Sequence, residues 1–245
     1  MPATPALQAR RLTICRGARV TLDALDLAVP RGSVYALLGG NGAGKTTTLN
    51  ALLGFVPAAS GQALVDGIDA SRQPQQARTR LAYLPENVAL YPYMSGAENL
   101  RYFCKLSDIA LGAAQARALL AAAGLAAPAH DRRVAGYSKG MRQKVGLAIA
   151  QARQASAMLL DEPTSGLDPA AAHEFTQSLL LAKRAGMGVL MATHDLFNAL
   201  QAADRIGILK EGRLVAEFDA RDVDQGELER IYLQHARAPV QGGAA

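Results

Sequence analysis

The chain has 245 residues, of which 50% are hydrophobic, and a formal net charge of +5, so its length and composition are those of one globular domain. No apolar run approaches the roughly 18 residues needed to span a bilayer, and the N-terminus lacks the pattern of a secretory signal. The basic residues are scattered and no aromatic-interleaved RNA-binding signature accompanies them, so the charge indicates an ordinary solvated surface and no nucleic-acid partner.

The first part of the chain has the alternating pattern of β-strands. Strands are predicted at 7–14 and 20–29, followed by a turn at 30–32. The next segment, VYALL at 34–38, is short and apolar, as is typical of a buried parallel strand. This strand leads directly into a glycine-rich segment.

That segment is GGNGAGKTTTLN at 39–50. Its spacing of Gly39, Gly44, Lys45 and Thr46 matches a phosphate-binding loop, in which backbone N–H groups wrap phosphates, the lysine reaches the outer phosphates and the hydroxyl binds Mg²⁺. The leucines that follow have helical spacing, with Gly54 as a C-terminal stop, so a helix N-terminus adds to the anion site. The alternative is a flexible turn with a solvated lysine, but strand, loop and helix together favour nucleotide binding. The expected binding residues are Gly39, Gly40, Asn41, Gly42, Ala43, Gly44, Lys45, Thr46 and Thr47.

The rest of the chain mixes helices and strands. Further strands are predicted at 60–67 and 79–86, and from about Ser95 to Ala155 the pattern becomes helical. Ser95 and Glu98 form a capping box. The predicted helices of this part are 95–106, 112–125 and 138–152. Strands at 157–163, 186–194 and 204–218 then alternate with helices at 169–186, 195–203 and 225–236. Such alternation predicts an α/β domain with parallel strands and a helical insertion.

Two adjacent carboxylates, Asp161 and Glu162, end the apolar run at 157–160. Mg²⁺ prefers oxygen ligands, and a strand end beside a phosphate loop is where it is held. Asp161 is therefore the candidate metal ligand, which leaves Glu162 free to orient or deprotonate the attacking water. The alternative, a pair of solvated acids, is disfavoured by the phosphate loop.

Two further features are weaker when taken alone. Ser138 and Gly140 open a helix whose N-terminal amides point at an anion, although a capped surface helix explains the same pattern. His194 follows a β-rich apolar run, and a lone histidine is usually structural.

In chain order the sequence shows GGNGAGKTT, YLPEN, YSKGMRQ, MLLDEPTSGLD and MATHD. This set resembles the ATP-binding-cassette (ABC) ATPases over residues 7–235. The resemblance implies an α/β fold with a P-loop NTPase core, an antiparallel β subdomain and an α-helical insertion. It also implies one nucleotide-binding domain over 1–236, with a helical subdomain at about 87–156, and a flexible tail at 237–245.

The resemblance implies ATP and Mg²⁺ as cofactors and a role for each matching residue. Lys45 would contact the β- and γ-phosphates, and Thr46 and Asp161 would hold Mg²⁺. Glu162 would be the catalytic base and His194 would sense the γ-phosphate, so that Lys45, Glu162 and His194 form the catalytic set.

Other matching residues would act on a second copy of the chain. Ser138 and Gly140 would touch the γ-phosphate of ATP held by that copy, and Asp168 would contact it as well. The resemblance thus implies a head-to-tail homodimer around two ATPs, with the helical subdomain docked on a partner.

Three positions depart from the family pattern. Arg16 stands where an aromatic residue usually stacks on adenine, and a guanidinium can also stack on a base. Glu86 replaces the usual glutamine and is expected to reach Mg²⁺ or its water. Lys139 and Met141 alter the signature motif. Lys139 could pair with phosphate or be solvated, and a solvated side chain is expected.

These features predict an ATPase subunit on the cytoplasmic face of the cell membrane that drives separate integral membrane permease subunits. The alternative is a soluble ABC ATPase acting on a cofactor- or cluster-assembly scaffold. The segments at 83–103 and 131–148 are most similar to ATPases of the exporter-like branch. Within that branch they resemble the ATPase of nitrous-oxide-reductase maturation. Other exporter types, including multidrug-like ones, are the alternative. Cys15, Cys104 and four scattered histidines form no copper site, so ordinary reduced thiols are expected.

Overall fold

The structure is a computed structural model in which residues 4–237 are described. Its strands are β1 (Leu7–Arg16), β2 (Arg19–Val29), β3 (Val34–Leu38), β4 (Ser60–Val65), β5 (Ile68–Asp69), β6 (Leu81–Leu84), β7 (Ala157–Asp161), β8 (Gly188–Thr193), β9 (Arg205–Lys210) and β10 (Arg213–Asp219). Its α-helices are α1 (Lys45–Leu52), α2 (Pro74–Thr79), α3 (Gly96–Lys105), α4 (Ala113–Ala122), α5 (Lys139–Ala152), α6 (Pro169–Arg184), α7 (Leu196–Ala202) and α8 (Gln225–Arg237). The tail predicted at 237–245 lies outside the described residues except for Arg237, which ends α8.

A six-stranded sheet forms the centre of the molecule, in the spatial order β10-β9-β3-β8-β7-β6. Every neighbouring pair in this sheet is parallel except β10 and β9. All residues of β3 and β8 are buried, because both faces of the sheet are covered. The predicted α/β fold with parallel strands is therefore confirmed.

A second sheet, β2-β1-β4-β5, is antiparallel and covers one face of the central sheet together with α1. Tyr35 and Leu37 of β3 point into this layer, whereas Val34, Ala36 and Leu38 point into the opposite layer. Successive strand residues point to opposite faces, so one short strand contributes to both cores. The two cores make a three-layer arrangement.

The helices α3, α4 and α5 lie between β6 and β7, within the stretch predicted to be helical. The predicted capping box at the start of α3 is present. The Glu98 backbone N–H donates to Ser95 Oγ at 3.2 Å, and the Ser95 N–H donates to Glu98 Oε2 at 2.7 Å. Lys144 of α5 forms an ion pair with Glu174 of α6 at 2.6 Å, which ties this helical region to the core.

Three details differ from the sequence prediction. The helix α2 and the two-residue strand β5 were not predicted, because both are too short to show a period. The segment 204–218 was predicted as one β region and forms the hairpin β9–β10. Its two turn residues, Glu211 and Gly212, have φ of 48° and 81°, as a two-residue hairpin turn requires.

None of the helices between residues 4 and 237 has the length and hydropathy that crossing a membrane requires.

Candidate nucleotide site

The candidate site lies at one edge of the central sheet. The strands β3, β8, β7 and β6 are neighbours and run parallel, so their carboxyl ends meet at this edge. Lys45 follows β3, Glu162 follows β7, His194 follows β8 and Glu86 follows β6. The edge outside the carboxyl ends of parallel strands is the usual ligand position in open α/β sheets.

The glycine-rich loop joins β3 to α1 and lies tightly against the core. Gly42 and Gly44 have φ of 79° and 113°, which glycine adopts without a steric penalty. A Cβ added to Gly39 would lie 2.6 Å from the Leu209 carbonyl oxygen and 2.9 Å from the Ala43 Cβ. A Cβ on Gly40 would meet nothing within 4 Å, so this glycine faces the open side of the loop.

Lys45 is the first residue of α1 and is only 7% exposed. Its ammonium group donates hydrogen bonds to the carbonyl oxygens of Gly39 and Gly40, the latter at 3.4 Å. It also lies 3.5 Å from Glu162 Oε1. The lysine ammonium is thus held at the N-terminus of α1. Both its charge and the helix dipole favour the binding of a phosphate there.

A cavity of about 690 Å³ brings most of the predicted site residues together. It is lined by Arg16, Arg19, Val20, Thr21, Gly40, Asn41, Gly42, Ala43, Gly44, Lys45, Thr46, Thr47, Glu86, Asp161, Glu162 and Glu211. Sequence reasoning missed Arg19, Val20, Thr21 and Glu211. The first three begin β2, directly after the β1–β2 turn, and Glu211 lies in the β9–β10 turn. The only sequence signal was the glycine in each turn, Gly17 and Gly212.

Glu162 is held by several donors at the end of β7. The Thr193 hydroxyl donates to its Oε2 at 3.0 Å and the His194 backbone N–H at 3.3 Å. His194 Nδ1 lies 2.9 Å from the same oxygen. Glu162 also has a φ of 45°, a left-handed conformation that is rare outside glycine and costs about 1–3 kcal/mol. Such strain persists only where surrounding contacts impose it.

The carboxylates of the site repel one another. Partial burial, followed by the negative charges of Glu162 and Glu86, raises the pKa of Asp161, and the nearby Lys45 ammonium opposes this rise. Asp161 in its ionised form is therefore less favourable here than in the unfolded chain. A cation placed among these groups would relieve the repulsion.

The predicted metal ligands fit a magnesium ion by their chemistry. The Thr46 hydroxyl and the carboxylates of Asp161 and Glu86 line the same cavity and offer only oxygen donors, which Mg²⁺ prefers. Between residues 4 and 237, no group of three or more His, Cys, Asp or Glu stands close enough to hold a metal ion. Mg²⁺ commonly takes one or two carboxylates and completes its shell with waters and phosphate oxygens, which agrees with this sparse donor set.

Ser138 and Gly140 do not line the cavity. Ser138 is exposed and caps α5, since its Oγ accepts a hydrogen bond from the Met141 N–H at 3.3 Å. Lys139, beside it, was expected to be solvated. Its side chain is 25% exposed and its Nζ lies 3.5 Å from Glu86 Oε1, so that expectation was wrong.

Arg16 and the two cysteines were also singled out in the sequence. Arg16 lies at the exposed β1–β2 turn and lines the cavity, and none of the other residues that line the cavity is aromatic. Cys15 is exposed and Cys104 is buried, and both are free thiols.

Comparison with known proteins identifies relatives over nearly the whole chain. The family model described as ABC transporter matches residues 22–165. Daunorubicin resistance ATP-binding protein DrrA2 of Streptomyces coeruleorubidus is 37% identical over 96% of this chain and 74% of that protein. Linearmycin resistance ATP-binding protein LnrL of Bacillus subtilis is 30% identical over 86% of this chain and 68% of that protein. A solved ATP-binding subunit of an ABC transporter is 29% identical, with a TM-score of 0.80, and covers 95% of this chain and 100% of that one.

The close contact at Gly39 generates a prediction about the loop. Gly39→Ala should lower the free energy of unfolding by about 1–3 kcal/mol, because the added methyl group overpacks against backbone atoms. Gly40→Ala is the matched control and should stay within about 0.5 kcal/mol of the wild type, because its methyl group meets open space. Urea unfolding of the ligand-free proteins measures both values. Equal losses in the two variants would contradict the described packing of Gly39.

The repulsion at Asp161 generates a prediction about pH. Because its folded-state pKa is raised, ionised Asp161 destabilises the folded protein at pH values above that pKa. The penalty declines as the pH falls from the folded-state pKa to the lower pKa of the unfolded chain. Asp161→Asn should therefore raise the unfolding free energy of the ligand-free protein by about 0.5–2 kcal/mol at pH 7, and the gain should shrink as the pH falls.

Denaturant unfolding at several pH values measures this gain. Asp108→Asn, at an exposed position outside the cavity, is the matched control and should change little. A loss of stability in Asp161→Asn at pH 7 would show that the carboxylate is a net stabilising group, contrary to the expectation.

Proposed function

Because this chain belongs to the ABC transporter family, as an ATP-binding subunit with ATPase activity, we propose that it powers a separate permease through ATP-driven closing and opening of a homodimer. One observation carries the proposal. Lys45, Asp161 and Glu162 share one cavity, whereas Ser138 and Gly140 lie outside it on the same chain. This separation supports a composite site, in which the signature segment of one copy would meet the cavity of the other.

Within one chain, different cavity residues would bind the phosphates, the metal ion and the base of Mg²⁺–ATP. Lys45 and the amides of the glycine-rich loop would bind the outer phosphates, because the ammonium lies at the N-terminus of α1. Thr46, Asp161 and Glu86 would hold the metal ion. When bound, Mg²⁺ neutralises charge on the phosphate oxygens. Arg16 would stack its guanidinium plane on the base.

Hydrolysis needs a group that takes a proton from the attacking water. Glu162 is the candidate, because its carboxylate is oriented by Thr193 and lies against His194. General-base assistance of this kind is typically worth about 10²–10⁴ in rate. His194, with its side chain 61% exposed, can contact the γ-phosphate while it remains beside Glu162.

The second copy would complete the site through its signature segment. The N-terminus of α5, a helix of 14 residues, begins at Lys139 after the exposed cap Ser138. Its first amides and the Ser138 hydroxyl favour an anion, and the γ-phosphate bound by the other copy supplies one. Asp168, an exposed residue that caps α6 through the Ala171 N–H at 2.9 Å, would contact that copy.

The region between β6 and β7 offers a surface for the permease. We assign it to a helical subdomain of about 87–156 within one nucleotide-binding domain. Tyr93 is 83% exposed and Tyr91 is 47% exposed. Tyr91 packs edge-on against Tyr102 at 4.8 Å between ring centroids, and Phe103 extends the cluster. Exposed clustered aromatic residues are typical of protein interfaces. Docking there would hold the subunit at the cytoplasmic face of the membrane.

The names of the relatives bear on what is transported. Two of them are named for resistance to daunorubicin and linearmycin, which supports a permease of the exporter type. The narrower resemblance, to the ATPase of nitrous-oxide-reductase maturation, gains no support from those names and stays a prediction. Action on a soluble assembly scaffold is the less favoured alternative.

The dimer mechanism predicts opposite behaviour for two variants. Glu162→Gln should bind ATP–Mg²⁺, lose about 10²–10⁴ in turnover and accumulate as a dimer, because binding drives closure and hydrolysis reopens it. Lys45→Ala is the matched control and should lose nucleotide binding and remain monomeric. Light scattering after gel filtration in ATP–Mg²⁺ measures the masses. A monomeric Glu162→Gln protein at saturating ATP–Mg²⁺, or full ATPase activity in Lys45→Ala, would refute the assignments.

The transporter role predicts a membrane companion. Tagged Glu162→Gln protein, recovered from native membranes in ATP, should carry a multi-span membrane protein in stoichiometric amount, identified by mass spectrometry. Recovery should fall in Tyr93→Ala, which removes the most exposed aromatic ring, while its ATP binding is retained. Recovery of soluble scaffold proteins alone would favour the assembly alternative instead.

A further inference from the structure

Glu86 and Lys139, two of the positions that depart from the family pattern, contact each other although 53 residues separate them in sequence. Lys139 Nζ lies 3.5 Å from Glu86 Oε1. The Ser165 hydroxyl donates to the same oxygen at 3.3 Å. The pair therefore joins the segment after β6, the start of α5 and the segment that follows Glu162.

Each partner belongs to a different part of the proposed mechanism. Glu86 lines the nucleotide cavity with Thr46 and Asp161. Lys139 is the first residue of α5 and lies between Ser138 and Gly140, the two residues assigned to the second copy's nucleotide. A contact between them links the metal side of one site with the signature segment that serves the other site.

Charge explains why the contact forms. Glu86, Asp161 and Glu162 place three carboxylates at the cavity, and Lys45 lies 3.5 Å from one of them. Lys139 brings a second ammonium to this group of acids at the Glu86 oxygen. A divalent cation bound at Thr46 and Asp161 would supply the same compensation to Glu86.

We propose that Lys139 and the metal ion compete for the Glu86 carboxylate, so that the contact made by the first residue of α5 weakens the binding of the metal–nucleotide. The inference rests on the proposed function, because it takes the cavity as the Mg²⁺–ATP site. In the structure, Lys139 is the counter-ion of Glu86. Without that contact, the Glu86 carboxylate would be free to help hold the metal ion.

A double-mutant cycle tests the competition without measuring turnover. The probe is Mn²⁺ in the presence of a non-hydrolysable ATP analogue, and its affinity is measured by electron paramagnetic resonance with dilute, monomeric protein. Lys139→Met should raise the Mn²⁺ affinity about two- to fivefold, the range expected when an exposed ion pair no longer competes. The same change in the Glu86→Gln background should have no effect.

Two controls separate competition from a general charge effect. Lys139→Arg keeps the charge and should keep the wild-type affinity within a factor of two. Lys105→Met removes a lysine from α3, where it lines a separate surface depression with Asp108 and Ile109, and should not change the affinity.

The outcomes distinguish this inference from the proposed function. An unchanged affinity in Lys139→Met, or an equal rise in the Glu86→Gln background, overturns the competition and leaves the ATP site intact. If the wild-type protein does not bind Mn²⁺ with the analogue, the proposed ATP site fails and the inference fails with it.

Discussion

The parallel pairing of β3, β8, β7 and β6 is the constraint on which the site depends. In this register Leu38 lies opposite Thr193, and Asp161 lies opposite Ala192. The glycine-rich loop, the acids and the histidine therefore leave the sheet at one level. A slip of one residue in any pair would send every side chain of that strand to the other face. The two apolar cores, one on each side of the sheet, resist such a slip and so maintain the geometry of the site.

The residues of the site are held in a less favourable state than the residues of the two apolar cores that support it. Its carboxylates outnumber the ammonium of Lys45, Asp161 is partly buried among like charges, and Glu162 has a strained backbone. Each of these features is unfavourable in the free protein, and a cation bound among the carboxylates would offset their repulsion. Local strain and charge repulsion held in place by a rigid scaffold are typical of functional sites.

Sequence reasoning was reliable where one local segment sets the outcome. The spacing around Lys45 predicted the loop, the apolar run at 34–38 predicted a central strand, and Ser95 with Glu98 predicted the start of α3. It missed Arg19 and Glu211, because the β1–β2 and β9–β10 hairpins bring these residues to the cavity from distant parts of the chain. It also missed the ion pair of Lys139 with Glu86, since α3, α4 and their connecting segments separate the partners in sequence. Long-range contacts depend on packing, which a single sequence does not display.

The position of Ser138 outside the cavity has a kinetic consequence under the dimer mechanism. A chain whose site is completed by a second copy would hydrolyse ATP slowly at low concentration, because two chains have to associate before either can react. Two copies fixed to one membrane assembly would meet at an effective concentration on the order of millimolar, as short tethers provide. Assembly with the permease would then activate ATP hydrolysis, and unassembled copies would hydrolyse little ATP.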